Sequence, residues 1–157
     1  MMDRATIEKK IKEFVGLISA NRIKLLSLQS KTNKNLSGVL TGSNIERSVE
    51  FKLKSIGTGE QNDNELIIFG EYEIDIEDKM EDMSLVSLNA AYKLILTIKE
   101  NDEYGEELTE EQQTIAEIFF DQSGRLILFP YVRHIYDLIT READFFMPPI
   151  PPIVFKK

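Results

Sequence analysis

Three stretches of this chain alternate apolar and polar residues at period two. Val49, Phe51 and Leu53 interleave with Glu50, Lys52 and Lys54. Over residues 65–77, Leu66, Ile68, Gly70, Tyr72, Ile74 and Ile76 share one parity. Over 84–99, Val86, Leu88, Ala90, Tyr92, Leu94, Leu96 and Ile98 do the same. Successive strand side chains point to opposite faces, so this pattern predicts antiparallel strands with one buried face. Wound as helices, the same residues would scatter their apolar groups around the axis.

The flanking segments follow a different period. Ile7, Ile11, Phe14, Val15 and Ile18 form one apolar stripe of a helix within residues 1–20. Such a helix is marginal alone in water, so its stripe is expected to meet the core or another subunit. Residues 22–30 read as a further strand. Ile23 and Leu25 have one parity and Leu26 and Leu28 the other, so a bulge between the pairs would bring both to one face. Residues 31–46 and the cluster Gly57 to Asn64 are rich in turn residues and read as a loop and a turn. Thr109-Glu110-Glu111-Gln112 has the capping-box pattern and opens a short helix. Gly124 suits its left-handed end, and a second helix is expected from near Pro130, with Val132, Ile135, Tyr136 and Ile139 as its stripe. Residues 145–157 form an apolar tail whose prolines remove backbone donors, so it is expected to lie extended over a hydrophobic surface.

Elements segregated in this way predict an α+β fold. A four-stranded antiparallel sheet would carry the C-terminal helices on one face, with an extra N-terminal helix. The 157 residues fit a single domain, 1–157.

Composition narrows the function. Acidic residues outnumber basic ones 27 to 19, a net charge of −8, so no basic surplus exists to displace counterions from nucleic acid. The absence of Cys removes disulfides, thiolate metal sites and a thiol nucleophile, and one histidine, His134, cannot build a multi-His metal centre. No apolar run approaches the roughly 18 residues of a membrane span. The opening Met1-Met2-Asp3-Arg4-Ala5-Thr6 lacks a signal-peptide pattern, so a cytoplasmic protein is expected. Phosphate-binding loops, dinucleotide fingerprints, nucleophile elbows and EF-hand loops are missing as well. The residues point to binding and not to catalysis, with no cofactor.

One face of the second alternating stretch stands out. Ile67 and Phe69 are followed on it by Glu71, Glu73, Asp75 and Glu77. A ladder of like charge costs stability between neighbours. It is either a solubilising face or a docking site for a basic partner, and docking requires side chains that face solvent and are not paired internally.

Gly124-Arg125-Leu126-Ile127-Leu128-Phe129-Pro130-Tyr131-Val132-Arg133, a helix ending near Arg141 and the Phe-, Pro- and Ile-rich tail resemble the signature of the SecB export-chaperone family. The strand order upstream matches too, so the resemblance covers about residues 20–155. It is closer to the SecB-like chaperones associated with toxin–antitoxin systems. Thr109-Glu110-Glu111 leads the first C-terminal helix, Ile135-Tyr136-Asp137-Leu138 lies in the second, and a helix precedes the first strand. The chain departs from the export type in having no acidic tail helix after Phe155 and in placing His134 where Glu is usual.

The resemblance implies a holdase that uses neither ATP nor metal, assembled as a homotetramer, a dimer of dimers. Its partners would be unfolded polypeptides for export or, alternatively, the antitoxin of a toxin–antitoxin system, with a translocase motor docking on Glu71, Glu73, Asp75 and Glu77. Client grooves need adaptable apolar side chains. The candidates are Ile67, Phe69, Met80, Met83, Phe119, Phe120, Phe145, Phe146 and Met147. For each alone, burial in the core or a subunit contact is the favoured reading; as a set they could line a groove.

Overall fold

A computed structural model describes residues 3–32, 46–61, 65–80, 83–99, 104 and 107–142. Helix α1 (Arg4–Leu17) opens on Asp3, whose carboxylate accepts the Thr6 N–H at 2.8 Å and satisfies one of the helix's orphan donors. Strand β1 (Ile18–Thr32) follows without a linker. Then come β2 (Glu46–Gln61), β3 (Glu65–Met80) and β4 (Met83–Lys99). All pairings are antiparallel, in the order β1-β4-β3-β2. Among the described residues, strands β1 and β2 are therefore the sheet's edges.

The alternation decides which face is buried. Ile68, Tyr72, Ile74 and Ile76 of β3 and Leu88, Ala90, Tyr92, Leu94, Leu96 and Ile98 of β4 are buried together. Of the three register shifts in the edge-strand pairings, two adjust the edges to this face. In β1, Leu26 is the extra residue, so Ile23, Leu25 and Leu28 pair opposite Leu94, Tyr92 and Ala90 on one side of the sheet. In β2 the extra residue is Lys54, which turns Ile56 instead of Ser55 toward the core side, opposite Gly70. β2 extends through Gln61, so Gly57 and Gly59 are strand residues and not the expected turn. Gly57 is required where it stands: the Phe69 ring on β3 lies over it, and a methyl there would overlap that ring.

Helix α2 (Glu110–Phe119) carries the expected capping box. The Gln112 N–H donates to Thr109 Oγ1 at 3.2 Å, and the Thr109 N–H donates to Gln112 Oε1 at 3.1 Å. α2 does not end at Gly124. A π-helical turn, Phe120–Gly124, joins it without a break to α3 (Arg125–Glu142), and Pro130 lies inside α3 instead of at its start. Tertiary contacts explain this. The Tyr72 hydroxyl donates to the Phe120 carbonyl at 2.5 Å, intruding on the helical ladder where it widens to the π pattern. A side chain at Gly124 would overlap that hydroxyl, and one at Gly70 would lie 2.7 Å from the Phe120 ring. Gly124 therefore serves close approach and not a left-handed cap. Pro130 removes the N–H that would meet the Leu126 carbonyl, on a residue that is half exposed.

Helix α1 packs beside α2. Phe14 is fully buried, with ring centroids 5.4 Å from Phe119 and 6.1 Å from Tyr104. Ile7 and Ile11 lie against the same core. Val15, expected in the stripe, is exposed, and Ile18 begins β1. Among the described residues no helix is long and apolar enough to cross a membrane.

Candidate client-binding groove

The open edge of β2 faces the junction of α2 and α3. A groove of about 580 Å³ runs between them, lined by Phe51 through Ile56 on one side and by Glu117, Ile118, Asp121 and Arg125 on the other. Six consecutive strand residues line it. Side chains on one face of a strand recur only at every second position, so the groove must wrap around the strand's edge and include its backbone. Among the described residues, that edge-strand backbone presents N–H and C=O groups unmatched by any neighbouring strand. Phe51, Leu53, Ile56 and Ile118 supply apolar surface. Lys52, Lys54, Glu117 and Asp121 supply a polar rim.

The π turn positions the far wall. Widening the helix by one residue per turn shifts Asp121 and Arg125 relative to the α2 stripe, and Arg125 Nη2 donates to Asp121 at 2.8 Å across it. Arg125 Nε is buried with no partner. Burial pushes the nearby Tyr72 hydroxyl far above its ordinary value, so it remains a donor to Phe120 across the accessible pH range.

The residues expected from the sequence to meet a client do not gather here. Phe119 and Phe120 are buried in the monomer, Phe119 against Phe14 and Phe120 over Gly70, and present no surface to a client in this conformation. The burial of Phe120 has a physical cause: the glycine at position 70 opens a notch in the sheet that a large ring fills. Ile67 and Phe69 lie half-buried on the outer sheet face, opposite the helices. Phe69 is already engaged, over Gly57 and 3.8 Å beneath Lys93 Nζ in a cation–π contact. Met80 packs at the core margin, and Met83 at the start of β4 is half exposed. Phe145, Phe146 and Met147 lie outside the described residues.

Glu71, Glu73, Asp75 and Glu77 do share the outer face, but they are not a bare ladder. Glu73 pairs with Lys54 at 2.9 Å and Glu77 with Lys79 at 2.9 Å. The Asn89 amide donates to Asp75 at 2.6 Å and to Glu73 at 3.3 Å. The Lys54 and Asn89 hydrogen bonds hold the Glu73 carboxyl below its usual value. Three of the four are thus internally partnered, contrary to what docking of a basic partner requires. Among the described residues no group of three or more His, Cys, Asp or Glu could hold a metal.

Residues of the groove went unseen in the sequence because its two walls are far apart along the chain. The one available signal was the change of parity after Leu53, which marks the bulge at Lys54. Two further apolar surfaces are uncovered. Leu25, Leu26 and Leu28 are exposed on β1, and Leu126, Tyr131 and Leu138 on the outer side of α3.

By sequence, the chain matches no protein-family model and no curated protein. By structure it is similar to the SecB-like chaperone Rv1957 of Mycobacterium tuberculosis, solved in complex with a ChAD peptide from the HigA1 antitoxin. The TM-score is 0.63 at 14% identity, over 97% of this chain and 100% of that one. A protein of unknown function from Streptococcus agalactiae matches at a TM-score of 0.35 and 10% identity, over 87% of this chain and 100% of that one. The four-stranded antiparallel sheet, the helix before it and the helices packed on one face after it together make this a SecB-like fold.

Proposed function

We propose that this chain is a cytoplasmic, ATP-independent chaperone that holds an extended segment of an antitoxin along the β2 groove. The observation that carries the reading is the run of six consecutive β2 residues in the groove, which puts a strand edge unpaired among the described residues beside the apolar side chains of Leu53, Ile56 and Ile118. An extended peptide can add to such an edge through main-chain hydrogen bonds while alternate side chains reach Leu53, Ile56 and Ile118. Its affinity comes from apolar area at about 25 cal/mol per Å², less the cost of ordering the segment. A segment held in this way is withheld from proteases, which act on accessible, locally unfolded chain. That the mycobacterial chaperone of the same fold holds an antitoxin peptide favours this client over others.

Holding of unfolded chains for export is the second reading. It is favoured by the indifference of main-chain pairing to client sequence. Its docking requirement is the weaker point, since Glu73, Asp75 and Glu77 already have partners.

We also propose a homotetramer. The β1 leucines and the outer side of α3 are two separate apolar surfaces. Each can make an isologous contact, and two different isologous contacts in one chain generate a dimer of dimers.

The test is capture of bound polypeptides by the wild-type chain, identification of the bound segment, and titration of that segment as a synthetic peptide. Ile118→Glu should weaken its binding tenfold or more, about 1.4 kcal/mol, with the melting temperature unchanged. Equal affinity for the two proteins would remove the groove from the function.

A further inference from the structure

The two lips of the β2 groove differ in charge. On the strand lip stand Lys52 and Lys54, and no residue from Phe51 to Ile56 is acidic. On the helix lip stand Glu117, Asp121 and Arg125. Part of this charge is already used. Lys54 Nζ reaches the Glu73 carboxylate at 2.9 Å, and Arg125 engages Asp121 at 2.8 Å. Lys52 and Glu117 are exposed and form no ion pair among the described residues.

The lysines and the apolar floor belong to different faces of the sheet. Phe51 points to the helix side, its ring 6.3 Å from that of Phe129. Lys52 stands in register opposite Glu73 of β3 and therefore shares the outer face with it. On its paired side, β2 thus meets a strand that is apolar inward, with Ile68, Tyr72, Ile74 and Ile76 buried, and acidic outward, with Glu71, Glu73, Asp75 and Glu77. Its other side is unpaired among the described residues. A strand added there would alternate in the same way. Side chains of one parity would enter the groove toward Leu53, Ile56 and Ile118, and those of the other parity would emerge beside Lys52.

We propose that the groove selects an extended segment in which apolar residues alternate with Asp or Glu, so that the client repeats the pattern of β3 on the free side of β2. The assignment rests on the groove being the client site and names the chemistry of its client. Main-chain pairing is indifferent to sequence, so the outward charges decide between segments that are equally apolar. A carboxylate beside Lys52 strengthens binding and a Lys or Arg there weakens it, each by up to about fivefold. Glu117 does not oppose the outward carboxylates, because it stands on the helix lip, on the side that the apolar residues enter.

Three end-blocked, fluorescently labelled peptides of about eight residues are long enough to span the six strand residues of the groove. All carry Leu or Val at alternate positions, and the intervening positions are Glu in the first, Ser in the second and Lys in the third. Anisotropy titrations with the full-length protein should rank Glu over Ser over Lys, with about tenfold or more between the extremes. Raising the salt from about 0.1 M to about 1 M shortens the Debye length from about 10 Å to about 3 Å and should narrow the gap without any substitution. Lys52→Glu should weaken the Glu peptide and strengthen the Lys peptide. No binding of the Glu peptide, equal affinity for the Glu and Lys peptides, or a gap that neither salt nor Lys52→Glu changes overturns the charge pattern. If Ile118→Glu still weakens every peptide that binds, the groove stands as the client site without it; if Ile118→Glu weakens none, the groove falls as well.

Discussion

Tyr72 and Gly124 meet at the π turn closely enough to predict how their substitutions combine. Gly124→Ala would drive a methyl into the Tyr72 hydroxyl. Tyr72 is buried, with no room to retreat. Overpacking of this kind costs about 1–3 kcal/mol, and displacing the hydroxyl from the Phe120 carbonyl costs about 1 kcal/mol more. Exchanging glycine for alanine in a helical segment returns at most about 1 kcal/mol. The net loss is about 1–3 kcal/mol. Tyr72→Phe alone leaves the Phe120 carbonyl without its donor, for about 1–2 kcal/mol. Independent effects would make the double variant the worst of the three. The structure predicts the reverse. With the hydroxyl gone, the methyl no longer overlaps it, and the nearest remaining ring atom is 3.1 Å away. The hydrogen bond is lost only once, and the alanine keeps its helical advantage. The double variant should therefore match Tyr72→Phe within about 1 kcal/mol, a favourable coupling of about 2 kcal/mol. Urea unfolding of all four proteins at one protein concentration measures it, because assembly makes stability concentration-dependent. Losses that simply add would refute the placement of Tyr72 against the π turn.

Three further outcomes follow from particular contacts. Phe14→Ala should destabilise the protein by about 3–5 kcal/mol and release α1 from α2, seen as loss of amide protection in α1 before the sheet. Thr109→Ala removes the hydroxyl of the capping box and should cost about 1 kcal/mol, read from the urea midpoint at unchanged slope. The Glu73 carboxyl is held low by Lys54 and Asn89, so its contribution is present above its ordinary value of 4.5 and is lost as pH falls through the lower folded value. NMR titration should place its midpoint below 4.5, and Lys54→Ala should move that midpoint upward, with no movement counting against the ion pair.

Much of the fold was legible because the relevant information is local. Period-two alternation assigns a side chain to a face without knowledge of the strand's neighbours, so the buried faces of β3 and β4 could be read directly. The Thr109 capping box is also local, since donor and acceptor lie three residues apart. The bulge in β1 was legible as a change of parity among its leucines.

Only the tertiary structure decided the helix junction, the fate of the aromatic residues and the groove. Gly124 and Pro130 carry local signals for an end and a start, yet Tyr72, on a strand far away in the chain, holds the helix continuous through a π turn. Phe119 and Phe120 carry the composition of a sticky surface, yet Phe14 and the notch at Gly70 bury them. The ladder of carboxylates was visible, whereas its partners Lys54 and Asn89 came from two other strands. The groove exists because the order β1-β4-β3-β2 leaves β2 at an edge and folds α2 and α3 back beside it. Local pattern tells each strand which face to bury. Which strand is left with an open edge depends on pairings between distant segments, and that edge is where an extended chain can be held.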